Sequence, residues 1–183
     1  MTESGDNMDC HLVVKRGDMT KMPIDAIINS ANTSLYPGSG LSGAIHKAAG
    51  AELYEDCKKY GHLGEGEAII TPAYHLPCKF VIHTVAPKWY VSYPNKEELL
   101  KNCYINVLKL AVQNHIKDIA IPCVGMGIYR CPLDSGAKIA VDTVSAFVES
   151  ESGLQTIYFV CGNTEQYEYY QTLLQTKFQS FRK

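Results

Sequence analysis

The sequence predicts an α/β domain built on a mostly parallel sheet with helices on both faces. Three observations predict it. Short apolar runs alternate with stretches of helical spacing along the chain. One of those runs, Asp25-Ala-Ile-Ile-Asn29, is apolar without alternation, as in a strand buried on both faces. Two glycine-rich loops each pass from a strand directly into a helix, and sheets of this kind bind ligands in the crevice at the carboxyl ends of their strands.

The elements follow in order. His11 to Lys15 reads as the first strand and Asp25 to Asn29 as the second, with a polar, glycine-rich loop from Ser30 to Gly40 after it. Leu41 to Ala49 has helical spacing. Ala51 to Tyr60 continues it beyond Gly50, with Lys58 and Lys59 near the end, where cations suit the helix dipole. Ala68 to Thr71 and Phe80 to Val85 are short β-branched and aromatic runs bounded by Pro72, Pro77 and Pro87, and read as strands. From Lys96 to His115, the residues Leu99, Leu100, Cys103, Val107, Leu108, Ala111 and Val112 recur at three- and four-residue intervals and define one buried helix face. Ile119 to Pro122 is the next strand. A second loop, Cys123 to Cys131, leads to Pro132, expected as the first residue of a helix running to about Glu149. Thr156 to Cys161 is the last strand, and Glu165 to about Phe178 the closing helix.

Composition narrows the function classes. A chain of 183 residues with 46% hydrophobic content supports one core, and no repeat or linker divides it. A single domain over 1–183, with its core at about 11–178, is expected. The 17 basic and 19 acidic residues leave a formal charge of -2, and no stretch concentrates Lys and Arg enough to track a phosphate backbone, so nucleic acid is disfavoured. The start, Met1 to Asp6, is polar and does not read as a secretory signal, and no apolar run is long enough to span a bilayer. Seven cysteines scattered without a Cys-x-x-Cys pair read as reduced thiols, so a cytoplasmic monomer is expected. His46, His62, His75 and His83, even beside Cys57 and Cys78, lack recognisable ligand spacing; neither metal nor cofactor is expected. Cys123 and Cys131 flank the second loop, but no nucleophile-and-base arrangement is legible.

The two loops carry the chemistry. The first runs from Asn29 through Asn32, Gly38 and Gly40 to Ser42, Gly43, Ala44 and Ile45; its glycines let backbone N–H groups approach an anion at a helix N-terminus, where the dipole also favours negative charge. The second, Val124-Gly125-Met126-Gly127-Ile128-Tyr129-Arg130, repeats the arrangement. Two such turns on one crevice can grip two phosphates, although either alone is equally a tight turn.

Five segments, in order, resemble the macro domain, the ADP-ribose-binding module, from about Leu12 to Leu174. They are Gly17-Asp18-Met19-Thr20, Ile27 to Asn32, Gly43 to Gly50 (reading Gly-Ala-Ile-His-Lys-Ala-Ala-Gly), Val81 to Pro87, and Ile121-Pro122-Cys123 with Gly127-Ile128-Tyr129. The resemblance implies a three-layer α/β/α fold with a mixed, mostly parallel sheet. It implies that Asp18 accepts from the adenine amino group with the Met19 backbone alongside, and that Asn32 holds the distal ribose hydroxyls. It places the backbone of Gly40, Ser42 to Ile45 and Gly125 to Ile128 around the diphosphate, Tyr129 against the distal ribose, and Asn163 beside the adenine. On the residues alone, Asp18 and Asn32 also suit plain turn positions, and Tyr129 a lid on the core.

The chain departs from the MacroD-like hydrolases of that family in its first loop. They carry an acidic residue where this chain has Ser42, within Ser39-Gly40-Leu41-Ser42-Gly43. A serine is no base near neutral pH. Catalysis would then be substrate-assisted, a water between the proximal phosphate and Asn32 attacking the distal ribose C1 of an ADP-ribosylated carboxylate, with Tyr129 positioning ring and water. Arg130 stands where glycine is usual, and a long cation there could reach the diphosphate or narrow the distal end of the cleft. Three readings stay open: a hydrolase of ADP-ribosyl or O-acetyl-ADP-ribose esters, a non-catalytic reader of ADP-ribosylated proteins, and a binder of RNA or poly(ADP-ribose).

Overall fold

Strand β2 (Ala26–Ser30) sets the architecture, because its first four residues are buried and it must be covered on both faces. In the computed structural model, which describes residues 10–151 and 153–180, it lies inside a six-stranded sheet of order β1-β6-β5-β2-β4-β3. The other strands are β1 (His11–Arg16), β3 (Ala68–Pro72), β4 (Phe80–Thr84), β5 (Asp118–Pro122) and β6 (Thr156–Cys161). Five run parallel, and the edge strand β3 is antiparallel to β4. Parallel neighbours need crossovers, and the helices supply them.

Those helices are α1 (Gly40–Ala49), α2 (Ala51–Lys58), α3 (Lys96–Gln113), α4 (Leu133–Ser150) and α5 (Thr164–Ser180). α1 packs on α2 and against β2, while α3, α4 and α5 form a row of neighbours, giving the three-layer α/β/α fold. The helical stripe of α3 is buried at Leu100, Cys103, Tyr104, Val107, Leu108 and Ala111. Leu99 and Val112, expected in it, lie half-buried at its edge. Between the layers Ile27, Ile28, Val81, Ile82 and Ile119 have no exposed surface, each such side chain contributing about 2 kcal/mol of hydrophobic stabilisation. Among the described residues no helix is long and apolar enough to cross a membrane.

Local chemistry corrects the sequence reading in three places. Pro132 is the cap before α4 and not its first residue, its backbone still extended at ψ 141°. A short 3-10 helix, Met19–Lys21, goes unseen in the sequence because three residues carry no periodicity; Asp18 caps it by accepting from the Thr20 N–H at 2.9 Å. Val85 falls outside β4. The polar start that speaks against a secretory signal lies outside the described residues.

Candidate functional site

A cleft of about 630 Å³ opens across the carboxyl ends of β1, β6, β5 and β2. Neighbouring strands are about 4.8 Å apart, so its floor spans roughly 14 Å from Asp18 beyond β1 to Asn32 beyond β2. Both glycine loops face it midway. A larger groove, about 920 Å³, lies between α3 and α4, lined by side chains such as Lys101, Asp142 and Phe147, away from both loops.

The first loop ends where α1 begins, at Gly40. The N–H of Gly43 already donates to the Ser39 carbonyl at 3.1 Å, so the helix ladder starts there. The N–H groups left over belong to Gly40, Leu41 and Ser42, and all three residues line the cleft. Of the expected donors Gly40 and Ser42 keep free N–H groups, and Leu41 joins them. Gly43, Ala44 and Ile45 have N–H groups turned into the helix, and the Ile45 side chain is wholly buried in the core. Gly43 matters for another reason: a Cβ there would stand 2.8 Å from the Gly38 carbonyl oxygen, so only glycine lets the loop close on the helix.

In the second loop, Met126 gives its N–H to Cys123 O (3.2 Å), and the loop is closed by Arg130 N–H on Gly127 O (3.0 Å) and Cys131 N–H on Gly125 O (2.9 Å). Among the described residues, the N–H groups of Gly125, Gly127 and Ile128 are left without an internal acceptor. Met126, expected to offer its backbone, lines the cleft with its N–H already given to Cys123. Gly125 needs φ +77°, and a Cβ on it would press on Ala86 at 3.0 Å. Arg130 takes the same left-handed region, φ +62°, which explains why glycine suits the position; its side chain is exposed and does not line the cleft.

At the β2 end, the side chain of Asn32 closes its own loop. Its Oδ1 accepts from Ser34 Oγ (2.8 Å) and Tyr36 N (3.1 Å), and its Nδ2 donates to Tyr36 O (2.8 Å). The amide was expected to offer a ligand both donor and acceptor; the acceptor is occupied, and one N–H remains. Tyr129 lines the cleft beside it, 9% exposed, with burial pushing its phenol pKa up so that it stays a hydroxyl. At the β1 end, the Asp18 carboxyl is held below its usual pKa chiefly by the Thr20 hydroxyl at 2.6 Å. Asn163, expected beside the ligand, caps α5 through the Gln166 N–H (2.9 Å), and Gln166 takes its place in the cleft wall. The Asn-x-x-Gln spacing of a capping box is the sequence signal that distinguishes the two.

Beneath the first loop runs a buried polar row. The Asn29 amide donates to Ser42 Oγ (3.3 Å) and its nitrogen pairs with His83 Nδ1 (3.1 Å), while His83 Nε2 pairs with Thr71 Oγ1 at 3.0 Å. Burial, with His46 nearby, holds the His83 pKa down to about 3, and burial lowers that of His46 as well. His46, Cys57 and His83 bring their ligand-type atoms within 4.8 Å of one another, a juxtaposition that sequence spacing hides because three elements supply it. Both ring nitrogens of His83 are taken by the chain's own groups, and burial keeps the Cys57 thiol protonated, with its pKa at about 11. Cys123 and Cys161, on the cleft floor, share a hydrogen bond that raises the pKa of Cys123; Cys131 is raised to about 12 by burial. The bond to Cys123 lowers the pKa of Cys161, whereas the raised thiols of Cys57, Cys123 and Cys131 are not activated nucleophiles.

Fold and cleft define an α/β domain that offers two sets of backbone donors to an anionic ligand held across four strand ends. The Macro domain family model matches residues 28–140. The chain is 44% identical to an O-acetyl-ADP-ribose deacetylase of Escherichia fergusonii over 91% of its own length and 97% of that protein. It superposes on the Oceanobacillus iheyensis macrodomain with ADP at a TM-score of 0.90, with 36% identity and 94% of each chain covered. On the Trypanosoma brucei macrodomain in complex with ADP-ribose the TM-score is 0.85, with 33% identity over 93% of this chain and 72% of that one. The chain belongs to the macro domain family.

Two outcomes follow from this geometry. Folded His83 refuses a proton that the unfolded chain accepts, so its contribution is complete above about pH 6.5 and is lost on acidification toward pH 3, by about 1.4 kcal/mol per unit. Urea midpoints taken between pH 7.5 and 5, above the range where carboxylates titrate, fall for the wild type; His83→Asn, which keeps an acceptor for Asn29, flattens the slope by up to one proton. An unchanged slope refutes the assignment. Gly43→Ala costs about 1–3 kcal/mol through the clash with Gly38, whereas Gly127→Ala, with open space around it, changes stability by less than about 0.5 kcal/mol; thermal melts of the pair check the contrast.

Proposed function

We propose that this single macro domain binds ADP-ribose in the cleft and hydrolyses it from acidic acceptors, either mono-ADP-ribosylated Glu or Asp in proteins or the acetyl ester of O-acetyl-ADP-ribose. The observation that carries the binding is the pair of N–H sets without an internal acceptor, Gly40 to Ser42 and Gly125, Gly127 and Ile128, on residues that line one cleft with Asp18 and Asn32. A diphosphate there places adenine by Asp18 and Met19 at the β1 end and the distal ribose by Asn32 and Tyr129 at the β2 end. The deacetylase relatives and the ADP and ADP-ribose complexes of similar structures support the same reading.

The chemistry follows from what the distal end lacks. Among the described residues lining the cleft, Asp18 is the one carboxylate and no histidine joins it; Asp18 lies at the far end, and Ser42 Oγ is committed to Asn29. The proton of the attacking water therefore goes to a diphosphate oxygen. The bond from the ester to C1 of the distal ribose breaks as the water oxygen bonds to that carbon. The acceptor leaves as a carboxylate, which needs no protonation because such groups titrate near pH 4. Where the group removed is an acetyl on a ribose hydroxyl, the water attacks the acetyl carbonyl, the acyl C–O bond breaks, and the proton taken up by the diphosphate passes to the departing ribose oxygen. The free N–H of Asn32 orients the water, and the Tyr129 ring holds the ribose against it.

The lack of a protein base also favours a second reading, a non-catalytic reader using the same cleft. Incubation with a carrier mono-ADP-ribosylated on Glu or Asp, and separately with O-acetyl-ADP-ribose, tells them apart. Under the hydrolase reading the wild type releases free ADP-ribose; Asn32→Ala still binds ADP-ribose in calorimetry but turns over roughly 100-fold slower, the cost of a misplaced water. Binding without release establishes the reader, and no binding at all refutes both.

A further inference from the structure

We propose that the segment after β4, Lys88 to Tyr93, together with Arg130, forms the docking surface for the acceptor, an acidic polypeptide segment that carries the ADP-ribosyl group. This rests on the reading just given, in which the distal ribose lies at the β2 end.

Strand order decides where an acceptor leaves the cleft. β4 is the neighbour of β2 on the side away from β5, so whatever is attached to a ribose at Asn32 and Tyr129 emerges over the chain that follows β4. That chain is fastened to the second loop: the Trp89 N–H donates to the Tyr129 carbonyl at 2.8 Å, and Lys88 Nζ stands 5.9 Å from the centre of the Tyr129 ring. Lys96 fixes it from behind, donating to the Trp89 carbonyl at 2.7 Å and lying 5.7 Å from the rings of both Trp89 and Tyr93. The rim is thus preorganised, which limits the ordering cost of binding.

Its chemistry suits an acidic chain. Neither Lys88 nor Arg130 forms an ion pair with a carboxylate among the described residues. Glu65, an acid close enough to Tyr129 to act on its phenol, is engaged by the Tyr93 hydroxyl at 3.0 Å. Around these two cations Tyr90 and Ile128 are 62% and 74% exposed. Unpaired cations beside exposed aromatic and aliphatic side chains fit carboxylates flanking the modified residue together with the peptide's own apolar groups. Two cations on a chain of net charge -2 are too few for a phosphate backbone.

Calorimetry on the intact protein tests this with three ligands: free ADP-ribose, an acidic peptide mono-ADP-ribosylated on one glutamate, and the same peptide with its flanking acids changed to lysine. To slow turnover, each is run with Asn32→Ala in the background. The acidic peptide should bind about 10-fold tighter than free ADP-ribose, an advantage that shrinks with salt and vanishes in Lys88→Glu/Arg130→Glu, while the affinity for free ADP-ribose stays within about twofold. Tyr90→Ser should remove part of the gain without altering the salt dependence. Equal affinity for the three ligands overturns the proposal, as does a charge-reversed variant that keeps the gain. A short single-stranded RNA binding as tightly as the acidic peptide overturns it too, assigning the surface to nucleic acid. Failure of free ADP-ribose to bind would refute the underlying reading instead.

Discussion

The cleft depends on a single buried row of hydrogen bonds, from Ser42 on α1 through Asn29 on β2 and His83 on β4 to Thr71 on β3. An amide with no exposed surface has no water to bond, so its nitrogen finds its partners inside the chain. The bond to Ser42 anchors the first turn of α1. That turn carries the free N–H groups of Gly40, Leu41 and Ser42, and the row beneath sets the height at which they stand over the sheet. A serine at position 42 is thereby accounted for as a structural acceptor.

Recognition and chemistry are divided between two kinds of group. A chain with slightly more acid than base still offers an anion a favourable cleft, because N–H groups at a helix start and in a glycine turn act as fixed partial charges. The length of the ligand is measured by the strand order, four strand ends from Asp18 to Asn32. Asn32 and Tyr129 close the cleft at the β2 end, and on the far side of β2 the loop after β4 rides on Tyr129.

Much of this was legible in the sequence. The unalternating run at β2 demanded a doubly covered strand, and the glycine-rich segments after β2 and β5 sit where the crevice opens. The stripe of α3 was read from its spacing, with Tyr104 missed because an aromatic hydroxyl does not announce burial. What escaped was whatever depends on a register of one residue or on distance across the sheet. The helix start at Gly40 turns the N–H groups of Gly43 to Ile45 into the helix and leaves that of Leu41 free, and the side chain of Asn163 is spent on a cap. His46, Cys57 and His83 meet only because α1, α2 and β4 converge, a closeness invisible along the chain.

The grip on the anion is made of peptide groups, and peptide groups are not changed by substitution. Side chains at positions 41, 126 and 128 can drift as long as the glycines and the buried row keep the backbone in place. Ligand and turnover are consequently separable under selection: a lineage can keep the first while gaining, losing or redirecting the second through a handful of side chains at the β2 end. Descent from a common binding fold then says little about rate, and a catalyst and a silent receptor can stand a few substitutions apart.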